Sequence, residues 1–295
     1  MANLKQLRLR IRTAKNIQQI TRAMKLVAAA RLRKSHEKTI ESRPYIESLQ
    51  DLVFSLLKSS SLDQESVSHP LLRLPPSLEK SKNYGLILIT SDRGLAGSYN
   101  TSLIRKASEF MSQNEGTPFL FCIGKKGAQF FSKRGYAVVY ENSLPSAGAR
   151  FEDAVQMSRI AQEIMNSKLL NSVYLAYSQF YSPIKQVPNV VKLLPISLPD
   201  HTSHPKIPQS YLFEPDPKQI LNTILPRYLL TLIYQTFLES SASEHGARMT
   251  AMTSATDNAK KVIDHLTLIA NRERQAGITN EILEVVSGAE ALSSL

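Results

Sequence analysis

The sequence predicts an α/β protein. A long antiparallel coiled coil, formed by the N- and C-terminal helices, has a small α/β domain of about five strands inserted into it. Three observations predict this fold: helical periodicity at both ends, alternating strands and helices in the middle, and charges along both terminal segments. Periodicity far beyond about 25 residues indicates a coiled coil, a membrane span or a helical repeat. The recurring charges exclude a membrane span.

The C-terminal segment, predicted as a helix over residues 219–295, has the strongest pattern. No proline follows Pro226, and apolar residues recur every three or four positions, which places them on one helical stripe. A helix of about sixty consecutive residues is a rod of roughly 90 Å, which is too long for the core of one small domain. The stripe comprises Leu229, Leu232, Ile233, Thr236, Phe237, Met249, Met252, Ala255, Ala259, Val262, Ile263, Leu266, Ile269 and Ala270.

The N-terminal segment, residues 1–58, is predicted to be the second long helix. Its apolar residues begin with the 3-4-3 spacing of a heptad seam. Pro44 interrupts the segment, and we expect a bend there rather than an end. The predicted seam comprises Leu4, Leu7, Ile11, Ala14, Ile17, Ile20, Met24, Val27, Ala28, Leu32, Ile46, Leu49, Leu52, Val53, Leu56 and Leu57.

Each long helix needs a partner, because its apolar stripe has to be buried. We expect the two helices to pair antiparallel with each other, since the middle domain then lies at one end of the pair. Pairing of each helix with its own copy across a homodimer is the alternative.

The middle of the chain changes period. Residues 59–82 are predicted to be a polar linker, 83–195 an α/β domain, and 196–218 an extended, proline-rich connection. Alternating strands and helices indicate a largely parallel sheet, with a hairpin at its end. The predicted strands are 84–90, 119–123, 136–140, 172–180 and 187–194, and the predicted helices are 102–111, 125–133 and 151–170.

Positive charge is concentrated near the N-terminus. The formal net charge is +11, and residues 1–45 contain twelve Lys or Arg but only two Glu. This excess predicts an acidic partner: nucleic acid, lipid head groups or an acidic protein surface. No aromatic residue interleaves the basic ones before Tyr45, which argues against a dedicated nucleic-acid reader.

No group of residues predicts a catalytic, cofactor or metal site. The loop Thr90–Ser98 follows a strand, yet its glycine spacing matches neither the dinucleotide fingerprint nor the Walker loop, so a structural turn is expected. His201 and His204 are close in sequence but have no cysteine nearby, which argues against zinc. Glu239 and Glu244 are expected to be solvated.

Cys122 is the only cysteine, so no internal disulfide is expected, and its apolar neighbours predict a buried strand thiol.

The start of the sequence lacks the apolar core of a signal peptide. No run approaches 18 apolar residues, so we do not expect the chain to span a membrane by itself.

Four stretches resemble one known family, the gamma subunits of F-type ATP synthases. Ile20–Lys34 resembles the N-terminal helix of that family, and Ser243–Ala259 and Asn271–Ile282 are similar to its C-terminal signatures. Ser91–Leu95 matches its loop after the first strand. The order and separation of these stretches agree along the whole chain, so the resemblance is full-length.

The resemblance implies a non-catalytic rotor, the central stalk, which turns inside a ring of three alpha and three beta subunits. It would couple proton translocation to ATP synthesis or hydrolysis at active sites on beta. The implied partners are alpha, beta, the epsilon subunit and the ring of membrane c subunits, with no cofactor and no nucleic acid. The implied location is peripheral, on the cytoplasmic face of the bacterial inner membrane.

The resemblance also implies contacts with the ring, which we carry over to six positions; the alternative is that some of them only hold the two helices together. The family's chloroplast redox switch is not expected, because the middle domain has no cysteine pair. Ala96 and Ser98 replace residues that are usually Cys and Gly. The expected ring contacts are Met24, Lys25, Arg248, Gln275, Thr279 and Glu281.

Gly246 stands where the family has more helix-favouring residues. A glycine within a helix costs up to about 1 kcal/mol relative to alanine, and local torsional softness is the interpretation from sequence.

Two other functions compete with the rotor. One is a basic coiled-coil protein that binds nucleic acid or anionic membrane, and the other is a nucleotide-binding enzyme built on the α/β domain.

Overall fold

The computed structural model describes residues 4–58, 69, 71–72, 82–143, 148–166, 169–196, 214 and 216–293. The chain divides into two compact units. The smaller unit comprises Met1–Val27 and Met249–Leu295, and the larger comprises Ala28–Arg248. None of the helices in these described ranges combines the length and the apolar composition that a membrane span requires.

The order of elements agrees with the sequence prediction. Two long helices flank a domain in which strands and helices alternate. The elements are α1 (Leu4–Lys58), β1 (Tyr84–Ile89), α2 (Tyr99–Gln113), β2 (Pro118–Ile123), α3 (Lys125–Ser132), β3 (Val138–Asn142), α4 (Phe151–Asn166), β4 (Ser172–Phe180), β5 (Gln186–Leu194) and α5 (Pro217–Ser293).

Several boundaries differ from the prediction. Helix α5 begins at Pro217, and Pro226 lies inside it. Proline at the first helical position fits, because its missing N–H would be unpaired there in any case. Helix α4 ends at Asn166 rather than at residue 170, and β3 begins two residues later than predicted. Helix α1 continues through Pro44 without interruption.

The sheet has the strand order β3-β2-β1-β4-β5. Strands β1, β2, β3 and β4 pair in parallel, and β5 pairs antiparallel with β4, as the predicted hairpin requires. Every residue of β1 is buried. This continuous apolar strand is typical of a parallel sheet with both faces covered.

The two faces of the sheet have separate cores. On one face, Leu86 and Leu88 of β1 pack with residues of α2 and α3, including Leu103 and Phe131. On the other face, the core of Ile87 and Ile89 contains α4 and the parts of α1 and α5 that belong to the larger unit. Full burial of one such side chain contributes roughly 1.5–3 kcal/mol. The long helices are therefore built into the core of this unit. Cys122 is buried in the first core, as predicted.

The buried stripe of α1 is a heptad seam, although part of it differs from the prediction. Ile17, Ile20 and Val27 were expected to be buried, but they are 49–60% exposed. Small and hydroxyl-bearing residues occupy the seam instead, and a search for large apolar residues misses them. The buried residues are Leu7, Ala14, Thr21, Ala28, Leu32, Ser35, Thr39, Ile46, Leu49, Val53 and Leu56.

Hydroxyl groups join the two long helices within each unit. In the smaller unit, Thr256 Oγ1 donates to Thr21 Oγ1 at 2.8 Å. In the larger unit, the buried hydroxyls of Ser35 and Ser241 are 3.1 Å apart. In the smaller unit, residues 9–17 line a groove with Val262 and Leu266, which lie beyond Thr256. In the larger unit, residues 43–50 line a cavity with residues 228–239, which precede Ser241. The α5 numbers fall as those of α1 rise within each unit, so the helices run antiparallel there, as predicted. Small residues permit this close approach, and each hydroxyl is hydrogen-bonded as burial requires.

We predict that Ala28→Leu destabilises the protein. Ala28 is 2% exposed, and added methyl groups in a packed seam cost about 1–3 kcal/mol. The measurement is urea unfolding of the purified chain. Ala30→Leu is the matched control, because Ala30 lies on the same helix but is exposed; its effect is expected to stay within about 0.5 kcal/mol. Equal effects of the two substitutions would contradict this seam.

Candidate functional site

The carboxyl ends of β2, β1 and β4 lie side by side, because these neighbouring strands are parallel. From β1 the chain proceeds to β2 on one side, and β4 lies on the other side. This reversal of strand order makes a crevice between the loops that follow β1 and β4. Other open α/β sheets bind their ligands in such a crevice.

A turn of α5, Ser243–Arg248, lies in this crevice. Ser243 Oγ donates to the carbonyl oxygen of Ser178 in β4 at 2.8 Å. Ala247 packs with Ala96 and Tyr99, which follow β1. The chain's own helix thus occupies the place where a ligand binds in other proteins of this architecture. This arrangement argues against the nucleotide-binding enzyme considered above.

An ion pair anchors the same turn. Arg248 Nη1 lies 2.6 Å from Glu244 Oε1, and the two side chains are only 11% and 22% exposed. Arg248 Nη2 donates to the carbonyl oxygens of Arg93 and Gly94 at 3.5 and 3.4 Å. The expectation that Glu244 is solvated is therefore wrong. Burial raises the pKa of Glu244, and the neighbouring Arg248 opposes that shift.

His245 completes the charged turn. Its Nδ1 lies 3.4 Å from Arg248 Nη1. Burial, with smaller contributions from Arg248 and Arg31, lowers the pKa of His245 to about 4. The imidazole is therefore neutral near pH 7, and in this state it adds no positive charge to the arginines.

The loop after β1 is held by its own hydrogen bonds. Ser91 Oγ donates to the carbonyl oxygen of Arg93 at 2.7 Å, and Asp92 Oδ1 accepts from the backbone N–H of Lys125 at 3.0 Å. At the tip, Leu95 has a positive φ of 62° and is 63% exposed. A non-glycine residue is uncommon in this conformation, so the loop presents Leu95 to solvent in a fixed geometry.

Gly246 allows the β4–β5 hairpin to approach α5. A Cβ atom at this position would lie 3.3 Å from Phe180 Cε2 and from Pro183 Cα. The second of these neighbours is backbone, which cannot move without shifting the hairpin. Gly246 therefore serves close packing, and the torsional softness expected from sequence stays a prediction.

Glu239 is a second correction to the expected solvated carboxylates. It is 8% exposed and lines a cavity between α1, α5 and the edge of the sheet. Its Oε1 accepts from Gln235 Nε2 at 3.3 Å. Burial raises the pKa of Glu239, and Arg43, which also lines the cavity, opposes the shift.

The six expected contact residues are divided between the two units. Arg248 belongs to the larger unit, and the other five belong to the smaller unit. Met24 and Lys25 are half-buried on α1, whereas Gln275, Thr279 and Glu281 are exposed on α5. Along α5, Gln275 lies 19 residues beyond Thr256, or about 28 Å of helix, and Thr256 is the partner of Thr21.

Sequence reasoning missed the support that Glu244 gives to Arg248. The i, i+4 spacing of this acid and base was the available signal. The spacing alone did not show that both side chains lie in a crevice. His201 and His204 lie outside the described residues. Across the residues that the structure does describe, no cluster of three potential metal ligands was found.

Nearly the whole chain is similar to proteins of one known family. A family model described as ATP synthase matches residues 3–292. The ATP synthase gamma chain of Solibacter usitatus is 42% identical over 99% of both chains, and that of Desulfitobacterium hafniense is 44% identical over 99% of this chain and all of the relative. This chain belongs to the ATP synthase gamma chain family.

Solved structures share the fold of this gamma chain family member. A chain of the Euglena gracilis mitochondrial ATP synthase rotor aligns with a TM-score of 0.64 at 19% identity, covering 93% of this chain and 98% of that one. A chain from the OSCP/F1/c-ring structure of the same complex aligns with a TM-score of 0.67 at 18% identity, covering 98% and 94%. Both confirm long terminal helices around a mixed five-stranded sheet.

We predict that Arg248→Ala lowers the free energy of unfolding by about 2–3 kcal/mol, because it removes the cation that is hydrogen-bonded to the buried carboxylate of Glu244. Hydrogen exchange of the Arg93–Gly97 loop is expected to rise with it. Adding Glu244→Gln should recover part of the loss. Arg33→Ala is the control: it breaks an exposed i, i+4 pair with Glu37 and should change neither quantity. A loop that stays protected in Arg248→Ala would contradict its support by Arg248.

We predict a pH dependence of stability that arises from His245. Its pKa falls from 6.5 in the unfolded chain to about 4 in the folded one. Between these values the unfolded state binds more protons, so the free energy of unfolding decreases as pH falls from 6.5 to 4, by up to roughly 3 kcal/mol.

The raised pKa values of Glu244 and Glu239 act in the opposite direction, since the folded state then binds more protons. The test is therefore a difference between two pH titrations of urea unfolding, one of the wild type and one of His245→Gln. The variant should lose less stability on acidification. Parallel curves would refute the role of His245.

Proposed function

We propose that this chain is the central-stalk rotor of an F-type ATP synthase. It couples proton translocation to ATP synthesis or hydrolysis by rotating inside the ring of alpha and beta subunits. The observation that supports this most strongly is the full-length relationship to gamma chains at 42–44% identity. The chain itself makes and breaks no bond, and the active sites lie on beta. Coupling arises because the rotor imposes different binding energies on three otherwise equal sites.

The exposed face of α1 in the smaller unit suits a surrounding partner. Residues 4–27 contain seven Lys or Arg and no acidic residue. Exposed aliphatic residues stand among these cations, and such groups mark interaction surfaces. The electrostatic part of the contact is long-range, which suits a partner that has to meet the helix at several angles. The exposed aliphatic residues are Leu9, Ile17, Ile20, Leu26 and Val27.

The far part of α5 has a second exposed apolar face. Four of its members, Ile278, Ile282, Val285 and Val286, are related by spacings of three or four residues through Ile282, so they lie on one side of the helix. This side has the character of a bearing surface inside a ring. The residues are Ile278, Ile282, Leu283, Val285 and Val286.

We keep five of the six expected residues as direct ring contacts: Met24, Lys25, Gln275, Thr279 and Glu281. The sixth, Arg248, is largely buried in an intrachain ion pair, which supports an effect on the ring through the loop that it holds.

The proposed partners of the larger unit are the epsilon subunit and the ring of c subunits. The proposed location is peripheral, on the cytoplasmic face of the bacterial inner membrane, through the complex.

The test is purification of the tagged chain from its own membranes. We expect alpha and beta subunits with one copy of this chain per three beta, and loss of ATPase activity when the chain is removed. Recovery of nucleic acid alone, or of a homodimer without those subunits, would overturn the rotor function. Either result would instead favour a basic coiled-coil protein.

Direct contact is tested by Thr279→Cys in the purified complex, modified with a photoreactive maleimide. The native Cys122 should remain silent, because it is buried and burial raises the pKa of its thiol to about 12. We expect cross-links from residue 279 to alpha or beta. Leu169→Cys, at an exposed position of the larger unit, is the control and should not yield them. Equal yields from both positions would remove the support for a contact at Thr279.

A further inference from the structure

The cavity lined by Glu239 has the size of a small-molecule site. It lies between α1, α5 and strands β4 and β5, and its volume is about 810 Å³. Small-molecule sites in proteins usually occupy about 300–1,000 Å³. All of its lining residues belong to the larger unit. We call it the Glu239 cavity, after the carboxylate in its wall.

Most of the wall of the Glu239 cavity is apolar. Ile46 of α1, Leu175 of β4, Leu193 of β5 and Tyr228 of α5 line it, and each of them is at most 6% exposed. Every element around the cavity therefore contributes apolar surface. An apolar wall with a few placed polar groups is the usual composition of a small-molecule site.

Glu239 supplies the buried polar group of this wall. It is 8% exposed, and its Oε1 accepts from Gln235 Nε2 at 3.3 Å. Its other oxygen, Oε2, is buried and accepts no hydrogen bond from the residues that the structure describes. A buried carboxylate oxygen without a donor is costly in free energy. A donor that enters the cavity would remove this cost, because the terminal torsion of glutamate has a broad range and lets the carboxylate turn towards it.

The charged residues around Glu239 stand at the mouth of the cavity. Arg43, Glu47 and Lys192 line it and are exposed, so the cavity opens to solvent and these charges are screened by water. In the wall, Tyr177 stays neutral near pH 7, because burial and Glu239 raise its pKa to about 12. The printed donor to Glu239 is thus a neutral amide, and an ammonium complements the carboxylate better, since charge-assisted hydrogen bonds are roughly twice as strong as neutral ones.

We propose that the Glu239 cavity binds a small amphiphilic primary amine, with its ammonium on the carboxylate of Glu239 and its hydrocarbon body against Leu175, Leu193 and Tyr228. Burial of the hydrocarbon supplies the remaining part of the affinity. A bound amine would contact α1, α5 and the β4–β5 hairpin together. It would therefore stabilise the docking of the long helices on the sheet. This site does not depend on the proposed rotor function.

The test is a methyl NMR titration of the purified chain with n-hexylammonium, hexan-1-ol and hexanoate. These probes share one hydrocarbon chain and differ in the charge of the head group. We expect hexylammonium to shift the methyl signals of Leu175 and Leu193. It should bind about tenfold more tightly than hexan-1-ol, because a hydrogen bond to a charged group contributes more than a neutral one. Hexanoate should bind more weakly than either, because the buried carboxylate repels it.

Glu239→Gln keeps the shape of the side chain and removes its charge. It should weaken the binding of hexylammonium about tenfold and leave that of hexan-1-ol within about twofold. Glu47→Gln is the matched control, because it removes a carboxylate at the exposed mouth; its effect should stay within about twofold, since exposed ion pairs contribute little. Urea unfolding of each variant is measured alongside. The comparison of the three probes on the wild type still decides the question if Glu239→Gln folds poorly.

Three outcomes would overturn the inference. The first is equal affinity of the wild type for hexylammonium and hexan-1-ol, and the second is an affinity for hexylammonium that Glu239→Gln leaves unchanged. The third is a set of methyl shifts confined to residues outside the cavity, such as Leu9 and Val262 in the groove of the smaller unit. That result would assign the amine to exposed apolar surface instead.

Discussion

The seating of α5 at the carboxyl edge of the sheet is the constraint on which the larger unit depends. Ser243, Ala247 and Arg248 each contact a different part of that edge, and Gly246 admits the hairpin. In other open α/β sheets this crevice receives a ligand. Here it receives a helix, and the backbone carbonyls of the loop after β1 accept from a guanidinium of the same chain. In this chain a long helix therefore occupies the place where other proteins of this architecture bind a ligand.

A second constraint is the closeness of the two long helices. Threonine, serine and alanine at the seam let the helices approach, and hydrogen bonds within each unit join hydroxyl groups of the two helices. Larger residues such as Ile17 and Ile20 then remain on the outside, next to arginines. The choice of small seam residues therefore has two effects. It makes the helix pair thin, and it leaves aliphatic and cationic side chains on the outer face, which is the surface that we propose for contact with the ring.

The order of elements could be predicted from the sequence, because strand and helix periods differ and long periodic runs are unambiguous. The middle of the α1 seam could not be predicted, because Thr21 and Ser35 are polar. They are buried by contact with α5 residues that lie more than 200 positions away in the sequence. The same limit applies to Glu239 and Glu244. Their charge predicts solvation, and tertiary packing places them in a cavity wall and a crevice.

The buried ion pair between Arg248 and Glu244 matters more for the position of α5 against the sheet than for the stability of the fold. Withdrawing two charges from water costs several kcal/mol per ion, so an apolar pair would stabilise the fold as well. An apolar pair would not hold the loop, however. Arg248 also donates to two carbonyl oxygens, and a planar guanidinium meets both only at one rotation of the helix. The pair therefore selects one register of α5 against the sheet. A rotor needs that single register, because a helix free to turn against its own domain would transmit no torque.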